Sequence, residues 1–577
     1  MSLTSSLLIG RSALAASQIA IRVTGDNIAN AATPGYNRRI ATISPIQGEV
    51  AADGLYYGRG VQVTSINRRI EEALVARIRT SVSQEEAARV NQDLLSQIES
   101  LTSDLNGAGV SGNLEELFDA FSELANNPAS TATRSLIIES AQTVAQYVQR
   151  LRLDLVETRN QIDVQVEANV ERANELLSDI ATLNEAIVTS EQGGAQNAAL
   201  RDQRDAAVGE LAVYMDVSVT EQQNGSFDIY VGSTPIVTGS TARGLKTLSI
   251  DVAGEPTLFI ATVDRETKLS ITAGRIGALL DQRAGDLDTT ISNLDDLASN
   301  LIYEVNRLHS QGRPLGGLTS SLAERRVPSA DQTLAFNDPA NATFADLPFA
   351  ATNGSFEVIV RNTATGAEQR VSISVDLDGI DNTGAAGFAD DASLASIVAD
   401  LNAVADLSAT VSASGQVQLD SSPGFEFSFA NDTSGVLTTL GINTFFTGVD
   451  AQDIGVRQEL IDDPLLLAAG VTEGSNETAL AIAQLRDGPV ESAGGVSLTR
   501  QWSQTIERIA VKTSAAGARA AAAGDVRLSL ESQQAAISGV SIDEESINLI
   551  TFQRQYQAAA QFITVIDEMT GILLSLL

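Results

Sequence analysis

Residues 27–36 read NIANAATPGY, and the reading of this stretch decides how the chain is built. It closes an apolar-periodic N-terminal helix that carries two asparagines and then stops at a Thr-Pro-Gly-Tyr corner. Pro34 biases Thr33 away from the helical region, so the helix must end near Ala31 or Ala32. Pro34 and Gly35 suit the two central positions of a type II turn. Tyr36 can then bury its ring and still bond or wet its hydroxyl. Asn27 and Asn30 are three apart, hence neighbours on the helix surface beside Ile28. They are placed to bond backbone at the helix end or a neighbouring subunit. A merely local end-cap is the simpler alternative, and the residues alone leave both open.

Working outward, heptad spacing dominates both ends of the chain. Leu7, Leu14, Ile21 and Ile28 fall seven apart, interleaved with Leu3, Gly10, Ser17, Thr24 and Ala31. That is a seam with large residues at one position and small ones at the other. At the far end Leu549, Tyr556, Ile563, Thr570 and Leu577 alternate with Phe552, Ala559, Ile566 and Leu573. The bulk of this second seam suits the space that Gly10 and Ser17 leave. Terminal segments commonly fray, so stripes kept apolar this far imply burial. Docking onto the molecule's own core is one reading. The sharper one is an antiparallel terminal helix pair that packs with other subunits.

Between the ends, Leu94, Ile98, Leu101 and Leu105 form one helical stripe, and Ile162, Val166, Val170, Ala173, Leu177, Ile180 and Ile187 a second. Leu287, Ile291, Leu294, Ala298, Leu301, Val305 and Leu308 form a third, and alanine-rich residues from about Leu498 to Ile537 read as helix. Residues 211–272 alternate as strands do, with Asn224-Gly225 as a turn, and residues 336–450 do so again. The Gly- and Pro-bearing residues 309–332 read as a linker into the second β region. The expected fold is α+β and multidomain: a terminal antiparallel coiled coil and an elongated helical bundle with inserted mainly-β domains. The expected division is 1–48 with 538–577 for the coiled coil and 49–210 with 273–318 and 470–537 for the bundle. Residues 211–272 make a small β module, and 319–469 an outer β domain with a short helix.

Composition narrows function. The chain has 577 residues and no cysteine, which removes disulfides, thiolate metal sites and a cysteine nucleophile. Acidic residues outnumber basic ones 73 to 37, a net charge of −36 that repels phosphate backbones and anionic lipid, so neither nucleic acid nor membrane is an expected partner. The start lacks a basic n-region, and Arg11 cuts its apolar run, so a cleaved signal peptide is not expected. No uninterrupted apolar stretch reaches the roughly 18 residues of a membrane span.

Chemistry is sparse. A single histidine, His309, excludes multi-histidine metal sites; it reads as a cation-capable side chain in a helix's last turn, where the dipole favours it. Asp376, Asp378 and Asp381 sit in DLDGIDN (376–382), a loop that could loosely hold calcium, but the spacing is not that of an EF-hand and a polar turn is the preferred reading. LRDQRD (200–205) is dense in charge and reads as ion pairing that positions the helix leading into the first β module. No P-loop or dinucleotide fingerprint appears. The expectation is no catalytic residue, no metal and no cofactor.

NIANAATPGYNRR resembles the N-terminal signature of bacterial flagellar axial proteins: rod, hook and hook-associated proteins. SGVSIDEESINLITFQRQYQAAAQFITVIDEMTGILLSLL (538–577) closely resembles the C-terminus of the first hook-associated protein family, the hook–filament junction proteins. Residues 126–142, 200–212, 297–312 and 431–448 agree with that family in order, and about 315–425 match least. Asn37 stands where the family more often has serine. The resemblance implies a structural, non-enzymatic subunit, exported without a cleaved signal through the flagellar type III apparatus to an extracellular junction. The implied partners are further copies of itself, the hook protein, a neighbouring hook-associated or filament-side junction protein, and an export chaperone on the C-terminal helix. It carries subunit packing onto Asn27, Ile28, Ala29, Asn30, Thr33, Pro34, Gly35 and Tyr36. At the other end it does so for Asp543, Glu544, Glu545, Asn548, Leu549, Phe552, Gln553, Tyr556, Gln557, Ala558 and Ala559. The seam residues Leu7, Leu14, Ile21, Ile563, Ile566 and Leu573 join them. Another axial role, in hook or rod, is the alternative within the class. A secreted enzyme with its site in the outer β insertion is the alternative outside it.

Overall fold

The computed structural model describes residues 3–50, 56–103, 109–252, 255–345, 347–381 and 383–575. Leu105 and Leu577 of the expected stripes lie outside them. The chain divides into two compact units, one of Met1–Leu95, Gln161–Ala284 and Thr513–Leu577, the other of Ser96–Asn160 and Gly285–Lys512.

In the first unit the two chain ends are helices, Leu3–Ala29 and Ile542–Ser575. The second begins with Ser541, whose hydroxyl accepts from the Glu544 N–H at 3.4 Å. Asp543, Glu544 and Glu545 fill its first turn, where carboxylates suit the positive end of the dipole. The two helices run antiparallel: Gly10 faces Phe562 and Ile563, while Asn27 meets Glu545. The buried face of the N-terminal helix is its small-residue one, Gly10, Ala16, Ser17, Ala20, Val23, Thr24 and Asn27. A Cβ on Gly10 would stand 2.7 Å from Ile563 Cγ1, so only glycine lets the helices close at this level. Opposite it lie Ala559 and Ile566, both buried; burying a side chain the size of Ile566 contributes about 2 kcal/mol.

After the corner, Arg39–Pro45 pairs antiparallel with Val61–Arg68. The helix Glu72–Thr102 then meets residues of the alanine-rich helix Leu498–Ser538 at Gly517 and Gly524, where Gln92 and Glu85 approach within 3.7 and 3.5 Å of an added Cβ. Arg527 closes that contact with Glu85.

The small β module is a four-stranded antiparallel sheet in sequence order, Ser218–Glu221, Phe227–Val231, Thr234–Thr238 and Thr241–Ala242, with a hairpin of Leu245–Val252 and Glu255–Thr262. Alternation predicts its inward residues Phe227, Ile229 and Val231, and all three are buried. Asn184, on the long helix Thr131–Ser190, clamps the sheet: its amide donates to Phe227 O and Gly239 O at 2.8 and 2.7 Å and accepts from Phe227 N at 2.9 Å.

The second unit packs the helix Val110–Asn126 through Leu114, Leu117, Phe118, Phe121 and Leu124, all fully buried. The helix Asp288–His309 is preceded by a π turn over Arg283–Leu287, so the third sequence stripe starts on a bulge rather than on a regular turn. Two three-stranded sheets follow. Gly354–Asn362 lies between Glu368–Val375 and Phe425–Ala430, and Val417–Ser421 lies between Ser320–Leu322 and Leu407–Val411. The helix Leu394–Asn402 shares their core, with Phe356, Val358, Phe427, Leu394 and Leu419 near its centre. Residues 309–332 are not a linker. Ser320–Leu322 is an edge strand, and Leu318, Ala323 and Val327 belong to the β core. Their glycines and prolines mark turns between short paired segments, which composition alone cannot tell from a tether.

Candidate functional site

The N-terminal helix ends at Ala29 and unwinds through short turns, Ala31 N–H to Ile28 O at 3.4 Å and Thr33 N–H to Asn30 O at 2.9 Å. Tyr36 N–H then donates to Thr33 O at 3.2 Å, with Gly35 at φ +75°. That is the expected type II turn, and the positive φ explains the glycine.

The turn folds Tyr36 back onto Asn27. Tyr36 OH donates to Asn27 Oδ1 at 2.9 Å, and the same oxygen accepts the Arg39 N–H at 3.0 Å. Asn27 Nδ2 donates to Arg39 O at 2.9 Å and to Glu545 Oε2 at 3.0 Å. Asn27 and Glu545 are 1% and 2% exposed, so this amide has both donors and its oxygen committed inside the fold. Arg38 completes the knot: its Nε donates to Glu545 Oε1 at 2.8 Å, its other nitrogens reach Glu544 and Glu545, and its backbone N–H donates to Ser538 O at 3.0 Å. Burial, partly offset by the Arg39 guanidinium 4.8 Å from the ring centroid, raises the Tyr36 pKa, which keeps the hydroxyl a donor.

Asn27 therefore bonds within the chain, whereas Asn30 makes the local contacts of an end-cap, to Asp26 O and Thr33 Oγ1. Of the residues expected to pack, Asn548 reaches Glu545 Oε1 at 3.5 Å, Ala559 and Ile566 are buried, Leu549, Phe552 and Ile563 are half-buried, and Ile563 faces Gly10. Asp543, Gln553, Tyr556, Gln557, Ala558 and Leu573 are exposed, as are Ala29, Thr33 and Pro34. Leu14, Ile21 and Ile28 are half-buried on the flank of the small-residue seam, and Leu7 is exposed.

Sequence reasoning missed Arg38, Arg39 and Arg68. Asn37 and Arg68 both bond Asp202 Oδ1, at 2.8 and 2.9 Å, and Arg68 also bonds Asp205, which fixes the corner to the helix Ala198–Tyr214. The same charged run turns its other side to the β module, as expected of ion pairing. Arg201 bridges Glu191 and Glu221, and Arg204 lies 3.3 Å over the Phe227 ring and donates to Gly225 O. Burial pulls the Arg204 pKa down to about 10. A second stripe was also missed: Phe562, Val565, Met569 and Ile572 are 45–60% exposed. Its heptad spacing, one residue out of phase with the first seam, was the available signal.

Elsewhere one expectation is corrected. His309 is not a cation at a helix end. It is fully buried, its Nδ1–H donates to Asn443 O at 2.9 Å, and its Nε2 accepts from Ala468 N–H at 3.0 Å. Burial lowers its pKa to about 4, so it is neutral at pH 7. In the acidic loop, Asp381 spends its Oδ1 on Thr383 and Ala385, and the residue that joins Asp376 and Asp378 is Asp391. The β insertion also borders a cavity of about 270 Å³ lined by Tyr303, Glu324, Arg325, Phe349, Thr438 and Thr444. Among the described residues, the threonine hydroxyls Thr438 Oγ1 and Thr444 Oγ1 that line it have no hydrogen-bond partner.

Residues 95–321 match the model of the flagellar hook-associated protein FlgK helical domain. Residues 532–576 match the flagellar basal body rod FlgEFG protein C-terminal model, and 7–37 the flagella basal body rod protein model. The chain is 24% identical over 579 positions to flagellar hook-associated protein 1 of Escherichia coli, and 25% over 592 positions to that of Salmonella typhimurium, each covering 98% of both chains. The solved flagellar hook junction protein FlgK from Burkholderia pseudomallei aligns with a TM-score of 0.49 at 17% identity, over 80% of this chain and 100% of that one. Both end segments, which form the paired terminal helices, are thus similar to flagellar axial proteins. Within that class, residues 95–321 carry the hook-associated helical domain, and the chain as a whole is similar to flagellar hook-associated protein 1.

Proposed function

We propose that this chain is a structural subunit of the junction between flagellar hook and filament, and that it self-assembles through its terminal helices. The observation that carries the reading is the exposed row Phe562, Val565, Met569 and Ile572, on a helix whose other face already packs on the N-terminal helix. A contiguous apolar row of this kind marks an interaction surface, and Leu7 and Leu8 expose more of the same character on the partner helix. The helical-domain match over residues 95–321 supports the junction over a hook or rod position. On this reading the chain reaches the cell exterior through the flagellar export apparatus without a cleaved leader, a chaperone covers the C-terminal helix beforehand, and hook protein and a filament-side junction protein are its neighbours.

Electron microscopy of a strain lacking the chain tests the role: hooks without filaments are expected, with unpolymerised flagellin in the medium. Complementation with Val565→Glu plus Ile572→Glu tests the surface. The variant should fold with unchanged thermal stability and yet fail to restore filaments. Normal filaments on that variant would overturn assembly through this face.

A further inference from the structure

We propose that Asp376, Asp378 and Asp391 form a calcium site in the second unit. Asp376 and Asp378 follow the strand Glu368–Val375, and Asp391 precedes the helix Leu394–Asn402. Backbone bonds fold the two segments together: Ala392 N–H donates to Asp376 O at 2.6 Å, and Gly379 N–H to Asp391 Oδ2 at 3.1 Å. One carboxylate oxygen from each aspartate then lies within 4.8 Å of the others. Two oxygens each about 2.4 Å from one calcium ion are at most about 4.8 Å apart, so the cluster already has the span of a calcium ligand set.

A second observation points to a cation. Asp391 is 6% exposed, and its Oδ2 also accepts from Asn337 Nδ2 at 2.6 Å, but its Oδ1 has no donor among the described residues. The Asn337 Oδ1 beside it is likewise buried without a donor. Buried acceptors of this kind are normally satisfied. Here, among the described residues, no lysine or arginine pairs with any of the three carboxylates. Donors reach only one oxygen each of Asp378, from Ile380 N–H at 2.8 Å, and of Asp391, so acceptor oxygens outnumber donors, the chemistry of a hard divalent ion. It contains no histidine or cysteine for zinc. Asp376 and Asp378 are exposed, leaving room for water in the remaining coordination positions, and the irregular loop suits calcium's flexible geometry better than magnesium's octahedron.

The test is calorimetric titration of chelator-treated full-length protein with CaCl2, with thermal unfolding alongside. One saturable site is expected, with Kd of about 0.1–1 mM, the range of weak oxygen-ligand modules. Asp378→Asn or Asp391→Asn should weaken it about tenfold or more, because each removes a charge from the ligand set. Asp381→Asn should leave it unchanged, since that carboxylate is not among the three whose oxygens converge, and MgCl2 should bind more weakly. The proposal is overturned by no saturable heat, by equal loss in Asp381→Asn, by unchanged binding in a folded Asp378→Asn variant, or by magnesium binding as tightly. Asp378 is exposed, so its variant keeps the test decisive should Asp391→Asn fail to fold.

Discussion

The Asn27 amide donates to the Glu545 carboxylate at 3.0 Å, between residues 518 positions apart in the chain. Asn27 is also held by Tyr36 and by both backbone groups of Arg39, so the two chain ends and the corner share one side chain. Asn27→Ala should lower the local stability of the terminal pair by about 2–4 kcal/mol, since it strands several buried partners at once. Amide exchange in the helix Ile542–Ser575 reads this without assuming one global transition. Protection unchanged in the variant would refute the linkage.

Gly10 sets the closest approach of the same two helices. Gly10→Leu should disrupt the pairing near Ile563, because even a Cβ there stands 2.7 Å from Ile563 Cγ1. Ile563→Ala on that background should recover part of the loss, with a coupling of roughly 1–2 kcal/mol in a double-mutant cycle. Strict additivity would show that the two residues do not share the space.

Gly35 has open surroundings, its added Cβ meeting only the Ala206 Cβ at 4.0 Å. Gly35→Ala should therefore destabilise the corner through its φ of +75° alone, by about 1–2 kcal/mol. Asn, which tolerates that region, should lose less. Replacing Pro34 and Gly35 together by alanine should let the helix continue and abolish filament attachment. Normal filaments from cells carrying that pair would count against the corner's role.

The second unit contains a buried and a half-buried group whose effects on stability oppose one another. His309 has its pKa lowered to about 4 by burial. The unfolded chain thus binds the extra proton first as pH falls below about 6.5, and stability drops from there down to about pH 4, by roughly 3 kcal/mol at most. Glu324 has its pKa raised to about 7 by burial. The folded chain keeps that proton longer, and stability drops as pH rises from about 4.5 to 7. Relative to the parent, His309→Gln should remove the first slope and Glu324→Gln the second. Identical pH–stability curves for parent and variants, from denaturant titrations between pH 4 and 8, would exclude both.

Much of this architecture was legible because period and punctuation are local. The type II turn at Pro34-Gly35, the alternation of Phe227, Ile229 and Val231, and the alanine-rich helix ending at Ser538 all follow from neighbours in sequence. What was illegible depends on distant partners. Heptad spacing revealed the terminal seams but could not say that the N-terminal helix turns Gly10, Ser17 and Thr24 inward and leaves Leu7 outside; small residues win because they permit closer approach. The neutrality of His309 is imposed by burial and by the Ala468 N–H, 159 positions away, which needs an unprotonated Nε2. Asp391 joins Asp376 only through a backbone closure that no motif announces.

The shared knot at Asn27 also imposes an order in time. A chain synthesised from its N-terminal side makes Asn27 long before Glu545 exists, so one amide N–H of Asn27 and the Arg38 guanidinium lack their carboxylate partner until the helix Ile542–Ser575 emerges. A late-made carboxylate is what locks the early corner in place.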